Sequence, residues 1–183
     1  MKAVLSAFAC GLALVAAAGT AHGKEAVTAT ARVEAYFTPG DDVDRKIAER
    51  IDRARQSVQV EAYLFTSRRI ATALAKAAQR GVAVDLIGDA KQHEAGGLPV
   101  LQQLGRAGVR IWLQGEYAAF HNKVVIIDAN STAPVVVTGS YNFTQAAQSK
   151  NAENIVVITG ERRIAERFAR DFDRHRESAS RLQ

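Results

Sequence analysis

Apolar residues recur along the chain with two periods, one of strands and one of helices. Arg32 to Phe37 alternates, with Val33, Ala35 and Phe37 on one side, and predicts a first strand. Thr38-Pro39-Gly40 breaks it, and Asp41 or Asp42 offers an N-cap for a helix over 42–54. Val43, Ile47, Ile51 and Ala54 share one face of that helix. A second strand is expected over 57–65, with Val58, Val60, Ala62 and Leu64 on one side. Thr66 or Ser67 caps the next helix, which carries Ile70, Ala73, Leu74 and Ala77 inward and stops at Gly81. Val82 to Ile87 is an unbroken apolar run of strand length, the pattern of a strand covered on both faces.

From Gly88 to Gly97 the pattern lapses, which predicts a loop containing Asp89, Lys91, His93 and Glu94, hinged at Gly96-Gly97. A short helix over 98–104 and a strand over 109–113 follow. Two apolar runs, Lys123 to Asp128 and Val135 to Thr138, are joined by turn formers and predict an antiparallel hairpin. A helix is expected to begin within 142–149, and Ile155 to Thr159 is another strand. The last helix spans 161–175 with Ile164, Ala165, Phe168 and Phe172 inward, and the chain from Arg174 onward is expected to fray. Strands alternating with helices and then a hairpin imply an α/β domain, a mixed β-sheet flanked by helices on both faces.

The N-terminus changes this picture. Lys2, an apolar run from Ala3 to Ala18, and the small residues Gly19 and Ala21 have the order of an export signal peptide over 1–22. One domain would then occupy 23–183, after a flexible lead-in from Gly23 to Ala31, in an exported protein, periplasmic or secreted. Cys10 is the only cysteine, so the mature chain would have no thiolate nucleophile, no disulfide and no cysteine metal site. At 48% hydrophobic and 23% charged the chain is globular, which excludes a disordered tail. The net charge of +5 argues modestly for an anionic partner. No His/Asp/Glu cluster has metal-ligand spacing and no glycine-rich phosphate loop is present, so neither metal nor cofactor is expected.

Candidate chemistry gathers between residues 120 and 154. His121 and Lys123 are two apart, a spacing that on a strand puts both side chains on one face. One imidazole and one ammonium can then meet one phosphate, with Lys123 as a point charge. Ser140 and Asn142 repeat the spacing and add neutral donors. Glu153 is placed to accept from the other ring nitrogen of His121 and fix its tautomer. Taken singly, each residue also has an ordinary reading: a solvated strand edge, a turn at Gly139-Ser140, a helix cap at Asn142 or Thr144, a surface carboxylate. His93 reads as a plain loop histidine and His175 as a surface one.

In combination, His121-x-Lys123-x4-Asp128, Gly139-Ser140-x-Asn142-x-Thr144 and Glu153-Asn154 resemble the signature of the phospholipase D superfamily. The similarity takes in Glu61-Ala62-Tyr63-Leu64-Phe65-Thr66 and is greatest to the small exported endonucleases with one signature copy. The resemblance implies a phosphohistidine formed on one histidine, with a second histidine as acid and then base, and no metal. It implies a catalytic set of His121, Lys123, Ser140, Asn142, Glu153 and, in support, Asp128. One copy per chain implies a homodimer whose two-fold axis passes through the site. The implied activity is a non-specific endonuclease on DNA, with RNA as a further substrate. Lys123 and Asn142 would hold the phosphoryl group, and Arg68, Arg69, Lys91 and Lys150 offer cations for flanking phosphates. The alternatives are a phospholipase D acting on phosphatidyl head groups and a nucleic-acid-binding protein without catalysis.

Overall fold

In the computed structural model, residues 31–182 are described, and the expected leader over 1–22 lies outside them. Eight strands form one sheet: β1 (Arg32–Thr38), β2 (Ser57–Ala62), β3 (Ala83–Asp89), β4 (Arg110–Gln114), β5 (Lys123–Ile127), β6 (Val135–Gly139), β7 (Glu153–Thr159) and β8 (Ser180–Arg181). Their order is β1-β7-β6-β5-β2-β3-β4-β8. The pairs β2–β3 and β3–β4 are parallel and the rest antiparallel, so the sheet is mixed.

The helices are α1 (Val43–Asp52), α2 (Arg68–Gln79), α3 (Ala90–Gln92), α4 (Leu98–Arg106), α5 (Gln145–Ser149) and α6 (Arg162–Glu177). Side-chain alternation on β5 decides where they lie. Val125 and Ile127 enter a core built with α1, α2, α4 and α5. Val124 and Ile126 enter a second core with Ala165 and Phe172 of α6. All five residues of β5 are buried, which is why the strand reads as a continuous apolar run.

The expected caps are in place: Asp42 accepts from Arg45 N at 3.1 Å and Ser67 from Ile70 N at 3.3 Å. Three local expectations are corrected. The expected loop over 88–97 is ordered: β3 runs to Asp89, α3 follows, and a wide π-helical turn over His93–Gly97 leads into α4. The chain after Arg174 does not fray, because α6 continues to Glu177 and β8 pairs with β4. Val33 and Phe37 of β1, read as one side of a strand, are 64% and 59% exposed, and Ile164 of α6 is 36% exposed rather than inward. α6 packs over β2, β4, β5 and β6 and leaves the β1 side of that face bare.

Candidate active site

The site lies at one edge of the sheet, where β2 and β3 end and β5 begins. The backbone there is pinned before any side chain acts. Ala62 pairs with Lys123, and Tyr63 N donates to Asn122 O at 2.8 Å, so the β2–β5 ladder continues past the strand end. Just upstream, Phe120 N donates to the buried Asp89 Oδ2 at 2.7 Å.

His121 is exposed and Lys123 is buried beneath it. Both rest on Tyr63: the imidazole and phenol centroids are 4.4 Å apart, and Lys123 Nζ sits 4.8 Å from the phenol centroid. Lys123 Nζ donates to His121 O at 2.8 Å. The expected pairing of imidazole and ammonium is therefore found on one aromatic platform, which holds two long side chains at little entropic cost. Burial pushes the Lys123 ammonium below the ordinary lysine range, and the negative charge of Glu153 works against that. A partly desolvated ammonium attracts an incoming anion more strongly than a hydrated one.

Across the strand order, Glu153 opens β7 and Ser140 follows β6. Ser140 Oγ donates to Glu153 Oε2 at 2.6 Å and accepts from Asn154 N at 3.1 Å, while Asn151 Nδ2 donates to Glu153 Oε1 at 3.0 Å. Glu153 thus engages Ser140 and Asn151 within the chain, where His121 was the expected partner. Gly139 is required where β6 meets β7, since a Cβ there would lie 2.2 Å from Asn154 O. Asn142 Oδ1 is buried with no hydrogen-bond partner among the described residues, as is His93 Nε2.

Asp128 stands apart. It follows the other end of β5, five residues from Lys123 and so about 17 Å away. Its carboxylate accepts from the backbone N–H groups of Arg55, Gln56 and Ser57 at 2.7 to 3.3 Å, and it takes a positive φ of 50°. It secures the turn into β2. Arg68, at the start of α2, and Lys91, in α3, are exposed at the same sheet edge as His121, as is Lys150 after α5. Arg68 lines a groove of about 680 Å³ with Ser67, Gln145 and Gln148, and Arg69 is engaged by Asp42 at 2.7 Å.

Both histidines read as ordinary surface or loop residues are buried. His93 is fully buried, its ring wedged between Gly88 and Gly97, where a Cβ would come within 2.8 and 2.6 Å of it. Its Nδ1 lies 2.8 Å from Asp89 O, and burial lowers its pKa. His175 is 7% exposed, with Nδ1 2.7 Å from Glu61 Oε1. Glu61 and Tyr63 were missed as site residues. The available signal was a carboxylate, then a phenol, in the otherwise apolar run from Val60 to Phe65. Among the described residues no group of three or more His, Cys, Asp and Glu side chains is arranged to hold a metal ion.

The family described as cardiolipin synthase, PLD-like domain, matches residues 47–176. The chain belongs to the phospholipase D superfamily. Phosphodiester hydrolysis is the activity typical of that superfamily. A Rickettsia felis protein named phospholipase D is 36% identical over 141 residues, 77% of this chain and 68% of the relative. A Drosophila melanogaster mitochondrial cardiolipin hydrolase is 30% identical over 145 residues, 70% of this chain and 56% of that protein. Among solved structures, the phospholipase D family member Nuc from Salmonella typhimurium superposes with a TM-score of 0.78 at 28% identity, covering 84% of this chain and 99% of Nuc. NucT from Helicobacter pylori gives a TM-score of 0.74 at 23% identity, and covers 83% and 99%, a likeness of fold.

Proposed function

We propose that this superfamily member is a metal-independent endonuclease that cleaves DNA, with RNA as a further substrate, at a site shared by two copies of the chain. The observation that carries the reading is His121, an exposed imidazole fixed on Tyr63 above a buried lysine. The chemistry runs in two balanced steps. A ring nitrogen of His121 attacks phosphorus, the P–N bond forms as the P–O bond breaks, and the second copy's His121 gives its proton to the leaving oxygen. That second imidazole then takes a proton from water, whose oxygen attacks phosphorus and breaks the P–N bond. Lys123 and Asn142 stabilise the charge on the phosphoryl oxygens. Ser140 and Glu153 hold that side of the pocket, and Asp128 supports the frame from the far end of β5.

Two features support a homodimer. Among the described residues one such histidine lies at this edge, and the two-step chemistry needs two. The bare face of β1, with Val33 and Phe37 outward, runs up to the site, since Thr38 pairs with Glu153. That apolar face suits a second copy.

Charge supports a polyanionic substrate. Arg163, Arg167, Arg170 and Arg174 are exposed on α6 at i, i+4, i+7 and i+11, within an arc of about 60° and a length of about 16 Å. With Arg68, Lys91 and Lys150 they are candidates for flanking phosphates, so the rate should fall steeply with salt. A salt-insensitive rate would count against a nucleic-acid track. The order of Lys2, the apolar run from Ala3 to Ala18 and the small residues after it, read as a leader over 1–22 ahead of a domain over 23–183, supports a periplasmic or secreted location. The names of the Rickettsia and Drosophila relatives, and Tyr117, 44% exposed four residues before His121, favour a phospholipase D reading as the second one.

The test is cleavage of plasmid DNA by the purified mature protein in excess EDTA, beside His121→Ala. Cutting by the wild type alone is the expected result. If a folded wild-type dimer leaves the plasmid intact yet releases head groups from liposomes, the phospholipase reading replaces this one.

A further inference from the structure

Glu61 is 2% exposed in the middle of the sheet, a costly place for a carboxylate. Both of its oxygens are in use. Oε2 accepts from Asn122 Nδ2 at 2.8 Å, and Oε1 faces His175 Nδ1 at 2.7 Å with one proton between them. Strand alternation explains the direction: Val60 and Ala62 enter the core with α1 and α2, so Glu61 turns to the α6 side and meets His175.

Asn122 is the residue between His121 and Lys123. By the same alternation, an Asn122 side chain drawn to the α6 side turns Lys123 to the opposite side, with His121 sharing the Lys123 parity. His175 also reaches the chain on the other side of His121. Its ring packs edge-on against Phe120 at 5.1 Å and Tyr117 at 5.6 Å. Gln114 Nε2 donates to His175 O at 3.0 Å and ties the end of β4 to the same turn of α6. His121 is thus bracketed through Phe120 and through Asn122, and both tethers converge on one buried imidazole.

We infer that Glu61 and His175 are positioning residues, which set the direction of His121 and Lys123 from the opposite face of the sheet by holding Asn122 and Phe120. This rests on the reading of His121 as the reacting group. The pair touches no substrate, and its action passes through the backbone of residues 120–123. Burial pushes the Glu61 carboxyl up while the facing His175 and the Asn122 amide pull it down. The other groups facing the pair are Asp171, whose Oδ2 is 3.9 Å from His175 Nδ1, and the Tyr117 phenol ring.

Glu61→Gln and His175→Gln keep volume and remove the shared proton. Two readouts separate positioning from simple support of the fold. On bis(p-nitrophenyl) phosphate, kcat should fall about 10- to 100-fold with KM nearly unchanged, the size expected of a small misplacement of a reacting group. The pH profile of kcat should also move. In the NMR spectrum of the free protein, the His121 imidazole resonances should shift and titrate differently from wild type, a readout that needs no substrate. Asn122→Ala, which leaves the buried pair intact, should reproduce the kcat loss even if Glu61→Gln fails to fold. Wild-type kcat, pH profile and His121 titration in the folded variants would overturn the inference, as would a wild-type rate in Asn122→Ala. If no form cleaves any phosphodiester, a His121 shift in Glu61→Gln still upholds positioning, and the reading of the function is what fails.

Discussion

The two ends of β5 carry parts of one motif and treat polar groups in opposite ways. At the Lys123 end, His121 is exposed and Lys123 is desolvated with a carbonyl as its hydrogen-bond acceptor. At the Asp128 end, the carboxylate takes three backbone N–H groups and nothing is left open. A carboxylate held by several backbone hydrogen bonds is committed to the fold, whereas an exposed imidazole stays accessible to a ligand. The short motif therefore joins the end proposed to react to an anchoring end, with a fully buried strand as the rigid spacer between them.

The sharpest way to break this contrast is His121→Ala. The ring is exposed and packs on Tyr63, so the fold should survive, while the proposed role as nucleophile predicts that turnover drops on the order of 10⁴-fold or more. Substantial residual cleavage in a clean preparation would remove His121 as nucleophile. Lys123→Met comes next. Loss of about 3–4 kcal/mol of transition-state stabilisation is expected, read as kcat/KM, by analogy with a deleted oxyanion donor. A near-wild-type rate would take Lys123 out of the site.

Asp128→Ala should reverse the pattern. Three orphaned N–H groups cost about 2–4 kcal/mol in a denaturant melt, while kcat of the protein that remains folded stays close to wild type. A variant of wild-type stability that has lost kcat would put Asp128 with the reacting end after all. The smallest effect concerns His93. Burial depresses its folded pKa below the ordinary value, so its neutral ring supports the fold fully above about pH 6.5 and that support is lost as pH falls. Stability should drop by up to about 1.4 kcal/mol per pH unit across that window. His93→Gln should flatten the slope, and an unchanged slope would show that another group sets it.

Much of the frame was legible along the chain because it rests on short-range rules. Ser67 caps α2 and Asp42 caps α1 because a side-chain oxygen reaches a free N–H three residues on. The stretch over 88–97 was misread for a matching reason. Two glycines normally punctuate a loop, but here Gly88 and Gly97 clear space for the His93 ring inside a helical turn. Sequence spacing carried no sign that a ring would need that space. The end of the chain was misread because β8 is two residues long and owes its order to pairing with β4.

For the site itself, the pairing of His121 with Lys123 was expected from period-two alternation, whereas Ser140 and Asn142 lie past the end of β6, where that rule does not apply. The family signature in residues 121–154 was equally local. The tertiary structure alone decided which partners those residues have. Glu153 meets Ser140 because β6 and β7 pair side by side up to Gly139, and Glu61 meets His175 across 114 positions because α6 folds back over β2. Local order is written in neighbouring residues, whereas a contact between distant ones exists only once burial of the sheet has brought them together.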